Sequence, residues 1–167
     1  MTQQEISSIY QAHGRRLYNI SRRILLNPED AEEVMHDTLI KFVTAPLLPM
    51  SREQASAWLT RTCIRASVDR LRKRRREAAF REAYLYETAG ETEDADIPPE
   101  VSARRILDAL QRLPDPYRLV VTLVLAEGLD YGEIAGFTGT KESTLRSQFL
   151  RGKQKLIALL KEDGEPI

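Results

Sequence analysis

The sequence contains a single cysteine, Cys63, and this scarcity excludes two kinds of stabilising chemistry. One thiol forms no internal disulfide and builds no cysteine-rich metal cluster, which suits a reducing compartment. The chain also lacks any run of about 18 apolar residues, and its first residues carry no basic segment followed by an apolar core. We therefore expect a cytoplasmic protein without a membrane span, in which Cys63 packs as a small apolar group.

Catalytic patterns are missing as well. The sequence has no Gly-rich phosphate loop, nucleophile elbow or Ser-His-Asp pattern. Its two histidines, His13 and His36, lie on different predicted helices without the spacing of a metal-binding motif. We expect no enzymatic activity, no cofactor and no metal site.

What the sequence does have is charge sorted into blocks. The 25 Lys and Arg residues balance 25 Asp and Glu residues, so the formal net charge is zero. Residues 61–81 nevertheless hold nine basic and two acidic residues, and residues 141–161 hold six basic and one acidic. Residues 82–100 between them hold seven acidic residues and no basic one. Because electrostatic steering follows the local potential, the two basic blocks predict contact with a polyanion at two places.

Apolar residues recur at three- and four-residue spacing nearly throughout, which predicts an all-α protein. Helices are predicted over 5–26, from about residue 30 to 43, and from residue 52 into the basic run LRKRRR. Asn27-Pro28 separates the first two, and Pro46 with Pro49 interrupts the chain before the third. Trp58 and Leu59 are expected in the core. The predicted apolar face of the first helix comprises Ile6, Ile9, Tyr10, Leu17, Ile20, Ile24 and Leu25.

The segment ETAGETEDADIPPE, residues 87–100, divides the chain in two. It has almost no large apolar side chains, so it buries too little surface to offset the entropy of ordering it, and a flexible acidic linker is predicted. Two small helical domains follow, over residues 1–86 and 101–167. The second should begin with a helix over 101–113 and continue with the apolar YRLVVTLVLAEG, with Gly128 suited to that helix end.

A helix-turn-helix is predicted in the second domain. Asp130-x-x-Glu133 has the form of a capping box and opens a short helix, Thr138-Gly139-Thr140 makes a turn, and a longer helix runs from residue 141 or 142 to 160. Ile134 and Ala135 should pack against Leu145 and Phe149. The side chains left to face DNA or solvent are Lys141, Ser143, Thr144, Arg146, Ser147, Gln148 and Arg151.

The run LPDPYRLVVTLVLAEGLDYGEIAGFTGTKESTLRSQFLRGKQKL resembles the C-terminal DNA-binding domain of the extracytoplasmic-function (ECF, group 4) sigma factors of bacterial RNA polymerase. The first domain matches independently, because NPEDAEEVMHDTLIKF resembles the family's polymerase-binding helix and AWLTRTCIRASVDRLRKRRR its promoter-melting and −10 recognition helix. A helix-turn-helix alone is weak support for a sigma factor, whereas this pairing is strong. The recurring C-terminal features stand here as Leu113-Pro114, Glu127-Gly128-Leu129, Tyr131, Glu133-Ile134-Ala135, and Thr144 with Ser147.

The resemblance implies two sigma domains, of region 2 and region 4 type, that bind core RNA polymerase through the β′ clamp coiled coil and the β flap. It also implies recognition of the −10 and −35 promoter elements, DNA melting, and an anti-sigma factor as a further candidate partner. The implied polymerase contacts are some of Glu32, Glu33, Val34, His36, Asp37, Ile40 and Lys41. The implied −10 and melting contacts are Arg61, Arg65, Arg72, Lys73, Arg74, Arg75 and Arg76. The implied −10 base-selecting loop contains Thr44, Leu47, Leu48, Met50 and Ser51, and the outward residues of the last helix would contact the −35 element.

This chain departs from the family pattern at several positions. Arg65 stands where Asn is usual, Lys141 stands where the helix-capping Ser often sits, and Gln148 stands where a basic residue or His is frequent. Thr140 is an alternative cap. These changes bear on promoter preference more than on the fold.

One other function class accounts for the two basic blocks. A conventional helix-turn-helix regulator, dimeric and with a first domain that senses a signal or self-associates, would bind duplex operator DNA without being a polymerase subunit. A sigma factor is expected to bind core polymerase and to make transcription from a defined template depend on it. A conventional regulator is expected to bind duplex operator DNA as the isolated protein. A structural helical adaptor does not account for the basic segments.

Overall fold

The computed structural model describes residues 2–45, 49–77 and 97–162, with residues 75–77 described by their backbone alone. These residues form α-helices joined by turns and short loops, and no strand occurs among them, which confirms the all-α prediction. The chain divides into two compact units, Met1–Arg74 and Arg75–Ile167. The predicted boundary at residue 86 and most of the predicted linker lie outside the described residues. Residues 99 and 100 form a turn, closed by a 3.1 Å bond from Val101 N–H to the Pro98 carbonyl.

Helix α1, Gln3–Leu25, and helix α2, Pro28–Thr44, are joined by only two residues. Leu26 takes a left-handed conformation, with φ 65°, and its N–H bonds to the Arg22 carbonyl at 2.9 Å. Asn27 then caps α2, because its Oδ1 accepts a 3.0 Å bond from Asp30 N–H, and Pro28 takes the first helical position, where its missing N–H is harmless. The predicted break at Asn27-Pro28 is confirmed, and α2 begins two residues earlier than predicted.

Helix α3, Arg52–Glu77, starts at the predicted residue. Ser51 supplies its cap: Ser51 Oγ accepts a 3.1 Å bond from Gln54 N–H, while Gln54 Oε1 accepts a 2.9 Å bond from Ser51 N–H. This reciprocal pair satisfies two donors at the helix end. The helix therefore begins at a defined residue directly after the loop that separates it from α2.

The core of the first unit lies where the three helices meet. Its fully buried side chains include Leu17, Ile24, Ala31, Leu59 and Val68. Cys63 is 0 % exposed with its Sγ 3.4 Å from the Leu17 carbonyl, so it packs as predicted. Trp58 is half-buried and its ring lies 5.5 Å from the Phe42 ring. Each fully buried Leu or Ile contributes about 1.5–3 kcal/mol relative to an exposed one.

The predicted apolar face of α1 is wrong at its N-terminal end. Ile6 and Tyr10 are 41 % and 46 % exposed, whereas the same face is buried from Leu17 onward. The Tyr10 ring instead stacks on His36 of α2, with ring centroids 5.8 Å apart. Periodicity predicts which side of a helix is apolar, but it does not show where along the helix its partners end.

The described residues 97–162 of the second unit form four helices: α4, Ala103–Leu110; α5, Asp115–Leu125; α6, Tyr131–Thr138; and α7, Glu142–Glu162. Helix α4 is shorter than the predicted 101–113. Ser102 caps its start, and at its end the N–H groups of residues 112 and 113 bond to the carbonyls three residues back, as in a 3₁₀-helix. Gly128 has the predicted left-handed conformation, with φ 68°. The core includes Leu123, Ile134, Leu145, Leu156 and Leu160.

A buried arginine lies at the start of α5. Arg118 is 2 % exposed, and its guanidinium donates to Asp115 Oδ1 at 2.6 Å and to the Leu113 carbonyl at 3.0 Å. A buried cation is tolerated when it is paired and hydrogen-bonded in this way. The contact ties the Leu113-Pro114 turn to α5.

Gly152 marks the closest approach of α5 and α7. A Cβ at this position would lie 2.7 Å from Val121 Cγ2 and 3.1 Å from Tyr117 Cβ. We expect Gly152→Leu to lower the free energy of unfolding by about 2–3 kcal/mol, because the added side chain must force the helices apart. Gly136→Leu is the matched control, since a Cβ there meets nothing within 4 Å. Thermal or urea unfolding of the two variants measures the difference, and equal stabilities would contradict the close packing.

Candidate nucleic-acid interface

The helix-turn-helix is built from α6, a three-residue connection and α7. Asp130 Oδ1 accepts a 2.8 Å bond from Glu133 N–H and Glu133 Oε1 accepts from Asp130 N–H at 3.3 Å, so the predicted capping box is present. Gly139 ends α6 in the left-handed conformation, with φ 70°. Thr140 N–H bonds to Thr138 Oγ1 at 3.2 Å. Ile134 and Leu145 are buried and Ala135 is half-buried, as a tightly folded pair of helices requires.

The predicted outward residues of α7 are accessible. Lys141 lies just before the helix and is exposed, and Gln148 and Arg151 are half-buried. Ser147 Oγ donates back to the Ser143 carbonyl at 3.2 Å. The other exposed members of this set are Ser143, Thr144, Arg146 and Ser147. These side chains present hydroxyl, amide and guanidinium groups, which are the donors and acceptors that base edges and phosphates bind.

Aromatic rings lie beneath the cations of α7. The Arg146 guanidinium carbon is 5.7 Å from the centre of the Tyr131 ring, and the Lys153 ammonium is 5.6 Å from the centre of the Phe149 ring. The two rings meet edge to face, with centroids 6.2 Å apart. Sequence reasoning cited Tyr131 only as part of a motif and gave it no role, because the contact joins different helices.

The basic residues of α3 divide between two sides of the helix. At about 100° per residue, positions 61, 65 and 72 fall within roughly 40° of one another, and positions 70 and 74 lie on the opposite side. Arg61, Arg65 and Lys73 are exposed and Arg72 is half-buried. We call Arg61, Arg65 and Arg72 the outer arginines of α3. The side chains of Arg75 and Arg76 lie outside the described residues.

Arg74 lies on the side of α3 that faces α2, and Arg70 joins it there. Arg70 Nη1 lies 2.9 Å from Asp30 Oδ1 and 3.2 Å from Glu33 Oε2, and Arg74 Nη1 lies 3.8 Å from Asp30 Oδ2. The hydrogen bond with Glu33 raises the pKa of Arg70, with the charges of both carboxylates adding to it. Sequence reasoning missed Arg70, which holds the start of α2 against α3.

Six of the seven residues predicted to contact polymerase lie at the surface of α2. Glu33 is among the exposed ones, although its carboxylate is bonded to Arg70. Val34 is 2 % exposed and belongs to the core, so its prediction as an outward polymerase contact is wrong: a buried side chain offers no surface to a partner. Ile40 is 56 % exposed, an unusual position for a large apolar side chain. The remaining surface members are Glu32, His36, Asp37 and Lys41, with His36 Nε2 3.6 Å from Glu32 Oε1.

The predicted base-selecting loop is shorter than its sequence suggested. Thr44 is the last residue of α2, and its Oγ1 donates to the Ile40 carbonyl at 2.7 Å. Ser51 is engaged in capping α3, and Met50 is half-buried. Leu47 and Leu48 lie outside the described residues.

The two histidines lie on different helices, as predicted. His13 is half-buried on α1, where burial lowers its pKa and the charges of Arg16 and Arg52 lower it further. His36 stacks on Tyr10. No group of three or more His, Cys, Asp or Glu residues in the described ranges is placed to hold a metal ion.

Comparison with known proteins gives the same division into two domains. Residues 9–77 match the sigma-70 region 2 family and residues 103–156 match the sigma-70 region 4 family. The ECF RNA polymerase sigma factor SigM of Mycobacterium tuberculosis is 26 % identical over 152 residues, covering 91 % of this chain and 75 % of SigM. The ECF sigma factor SigE of Mycolicibacterium smegmatis is 31 % identical over 154 residues, covering 89 % of this chain and 58 % of SigE.

A solved structure shares the fold. It is the sigma factor RpoE of Bartonella quintana in complex with the anti-sigma factor NepR, which is similar with a TM-score of 0.57 at 21 % identity, covering 95 % of this chain and 98 % of RpoE.

The described residues are helical, with exposed basic residues on a helix of each unit and a helix-turn-helix in the second, an arrangement typical of proteins that bind DNA. The two family matches make the assignment specific: the chain belongs to the sigma-70 family of RNA polymerase sigma factors, in its extracytoplasmic-function group. It is a sigma factor that directs promoter recognition, and the conventional regulator is not favoured. Sigma factors are not enzymes in the usual sense. None of the described helices is long and apolar enough to span a bilayer.

Proposed function

We propose that this sigma factor binds promoter DNA through two surfaces of its own, the outer arginines of α3 and the exposed polar face of α7. The observation that supports this most directly is that the described part of each unit presents exposed basic residues on a helix, on α3 in the first and on α7 in the second. Arg70 and Arg74 lie on the other side of α3, where they are paired with Asp30 of α2. Core polymerase then brings both surfaces to one promoter.

On α7, Arg146 and Gln148 are the side chains proposed to contact bases of the −35 element. A guanidinium binds the O6 and N7 atoms of guanine with two hydrogen bonds, and an amide binds adenine in the same way. Lys141 and Arg151, which lie toward the two ends of this face, would neutralise phosphates. Ser143, Thr144 and Ser147 supply short hydroxyl donors between them.

On α3, the outer arginines and Lys73 are proposed to hold the backbone of the −10 region. This surface is charged and sequence-tolerant, so base choice must come from a neighbouring element. We assign that choice to the loop between α2 and α3, bordered by Thr44 and by Met50 with Ser51. When a base of an opened strand enters such a loop, its contacts there offset the few kcal/mol that its unstacking costs.

Promoter opening then needs only differential binding, and we propose that the chain has no catalytic activity of its own. The opened strand is the better ligand, because it alone can place a base in the loop while its phosphates reach α3. We further propose a cytoplasmic protein, as its partners require.

The outer surface of α2 is proposed to bind the β′ clamp coiled coil of core polymerase. Ile40 offers apolar area in the middle of a charged surface formed by Glu32, His36, Asp37 and Lys41. An apolar centre within a polar rim is the usual anatomy of a protein interface. An anti-sigma factor is a further proposed partner, supported by the complex that the similar RpoE forms with NepR.

The test is transcription from a promoter pool randomised at both elements, with core polymerase and start-site sequencing. We expect Arg146→Ala and Gln148→Ala to change base preference in the upstream element and to leave the downstream element alone. Substitutions of Met50 and Ser51 should do the reverse. Each specific base contact is worth about 1–3 kcal/mol, so preferences should fall roughly five- to 150-fold. Unchanged preference in folded variants of both sets would overturn the site assignment.

A further inference from the structure

We infer that Tyr131 is a positioning residue for promoter recognition: its ring holds the Arg146 guanidinium in the orientation that contacts the upstream element. The inference rests on the proposed role of Arg146 and assigns to the preceding helix, α6, a part in base preference. It concerns a side chain that would itself touch no base.

The Tyr131 ring is held in place from two directions. Tyr131 is the first residue of α6, directly after Asp130, and the capping box fixes the backbone at this point. Its ring meets the Phe149 ring edge to face, at 6.2 Å and an interplanar angle of 64°. Phe149 is 9 % exposed and therefore belongs to the packed interior. The half-buried Tyr131 ring is thus a fixed surface at the foot of α7.

Arg146 lies over that surface. Its guanidinium carbon is 5.7 Å from the ring centre, within the roughly 6 Å over which a cation is attracted to an aromatic face. Arg146 is itself exposed, so water surrounds much of its side chain. A guanidinium also stacks on a ring in a way that an ammonium does not, because it is planar.

This contact matters because a long side chain loses freedom when it binds a base. An arginine side chain has many rotamers and loses conformational entropy when it is fixed. A planar guanidinium that is already oriented loses less conformational entropy for each hydrogen bond that it forms. Base recognition needs both donors of the fork aligned with one base edge. A ring that restricts the guanidinium before binding therefore favours the correct base more than it favours phosphate contact in general.

The experiment uses the full chain with core polymerase and the promoter pool randomised in the upstream element. Four variants are compared: Tyr131→Leu, Tyr131→Phe, Arg146→Ala and the double variant Tyr131→Leu/Arg146→Ala. We expect Tyr131→Leu to weaken base preference roughly two- to fivefold, the size of an exposed cation–aromatic contact, at the positions that Arg146→Ala affects. Tyr131→Phe keeps the ring and should retain the preference. In the double variant, loss of Tyr131 should add nothing to the loss of Arg146.

Each other outcome overturns the inference. Wild-type preference in Tyr131→Leu shows that the ring does not orient Arg146. An equal loss in Tyr131→Phe assigns the effect to the hydroxyl, and a further loss in the double variant shows that Tyr131 acts on its own. Wild-type preference in Arg146→Ala would instead refute the proposed role of Arg146, and the inference with it. If Tyr131→Leu melts early, Tyr131→Met replaces it, because its flexible side chain fills an irregular gap.

Discussion

Replacing the three outer arginines of α3 together, as Arg61→Ala/Arg65→Ala/Arg72→Ala, is expected to weaken binding of the polymerase complex to promoter DNA by roughly 10²–10³-fold. The estimate follows from about 1–1.5 kcal/mol for each lost phosphate contact, the upper half of the range for a typical hydrogen bond. These residues share one outward face of α3 and lie opposite Arg70 and Arg74, which are bound to α2. Their loss should therefore leave the contacts of Arg70 and Arg74 with α2 in place.

The salt dependence of binding makes this expectation specific. Each lost phosphate contact removes about 0.7–0.9 from the slope of log affinity against log salt, so the slope should become shallower by roughly 2–3. Binding is measured by titration of the complex on a labelled promoter at several salt concentrations. The control is Arg15→Ala/Arg104→Ala/Lys161→Ala, which removes three exposed charges that we assign to no DNA contact. An equal change in the control would mean that only total charge matters.

Placing a carboxylate on the outer surface of α2, as Ile40→Asp, is expected to weaken binding to core polymerase by about 30-fold or more. Ile40 is 56 % exposed, so the change should cost the free protein little stability. In a complex the same side chain would be covered, and truncating a central apolar anchor costs about 2 kcal/mol or more before the burial of a charge is added. Affinity of the labelled chain for purified core measures the effect.

The control for this variant is Ala57→Asp, which adds the same group to an exposed position of α3. It should bind core polymerase as the wild type does. Thermal unfolding of both variants checks that neither has lost its fold. Wild-type affinity in Ile40→Asp would remove α2 from the polymerase interface.

The sequence predicted the helices well because their ends are chemically marked. Asn27-Pro28 and the Asp130-Glu133 capping box each end or start a helix through local bonds that the chain order alone determines. The helix-turn-helix follows from the same kind of signal, since Gly139 supplies the left-handed turn between α6 and α7. Hydrogen bonds between residues that are close in sequence can be predicted from the sequence alone.

Contacts between helices were harder to predict. Val34 and Ile40 both lie on α2 and both are aliphatic, yet one is 2 % exposed and the other 56 %. Only the packing of the other helices of this unit against α2 separates them. In the same way, the basic residues Arg70, Arg72, Lys73 and Arg74 could not be sorted into those that bind α2 and those that face outward until Asp30 was placed beside α3.

The most direct test of the central claim is a hydroxyl-radical footprint of one selected promoter with the purified chain, with core polymerase, and with both. We expect the chain alone to give no specific protection. Both proteins together should protect two separated segments, one upstream and one around the opened region. The central claim is that the chain binds two promoter segments only when it is bound to core polymerase. A specific footprint from the chain alone would contradict this claim, and so would the absence of new protection when core polymerase is added.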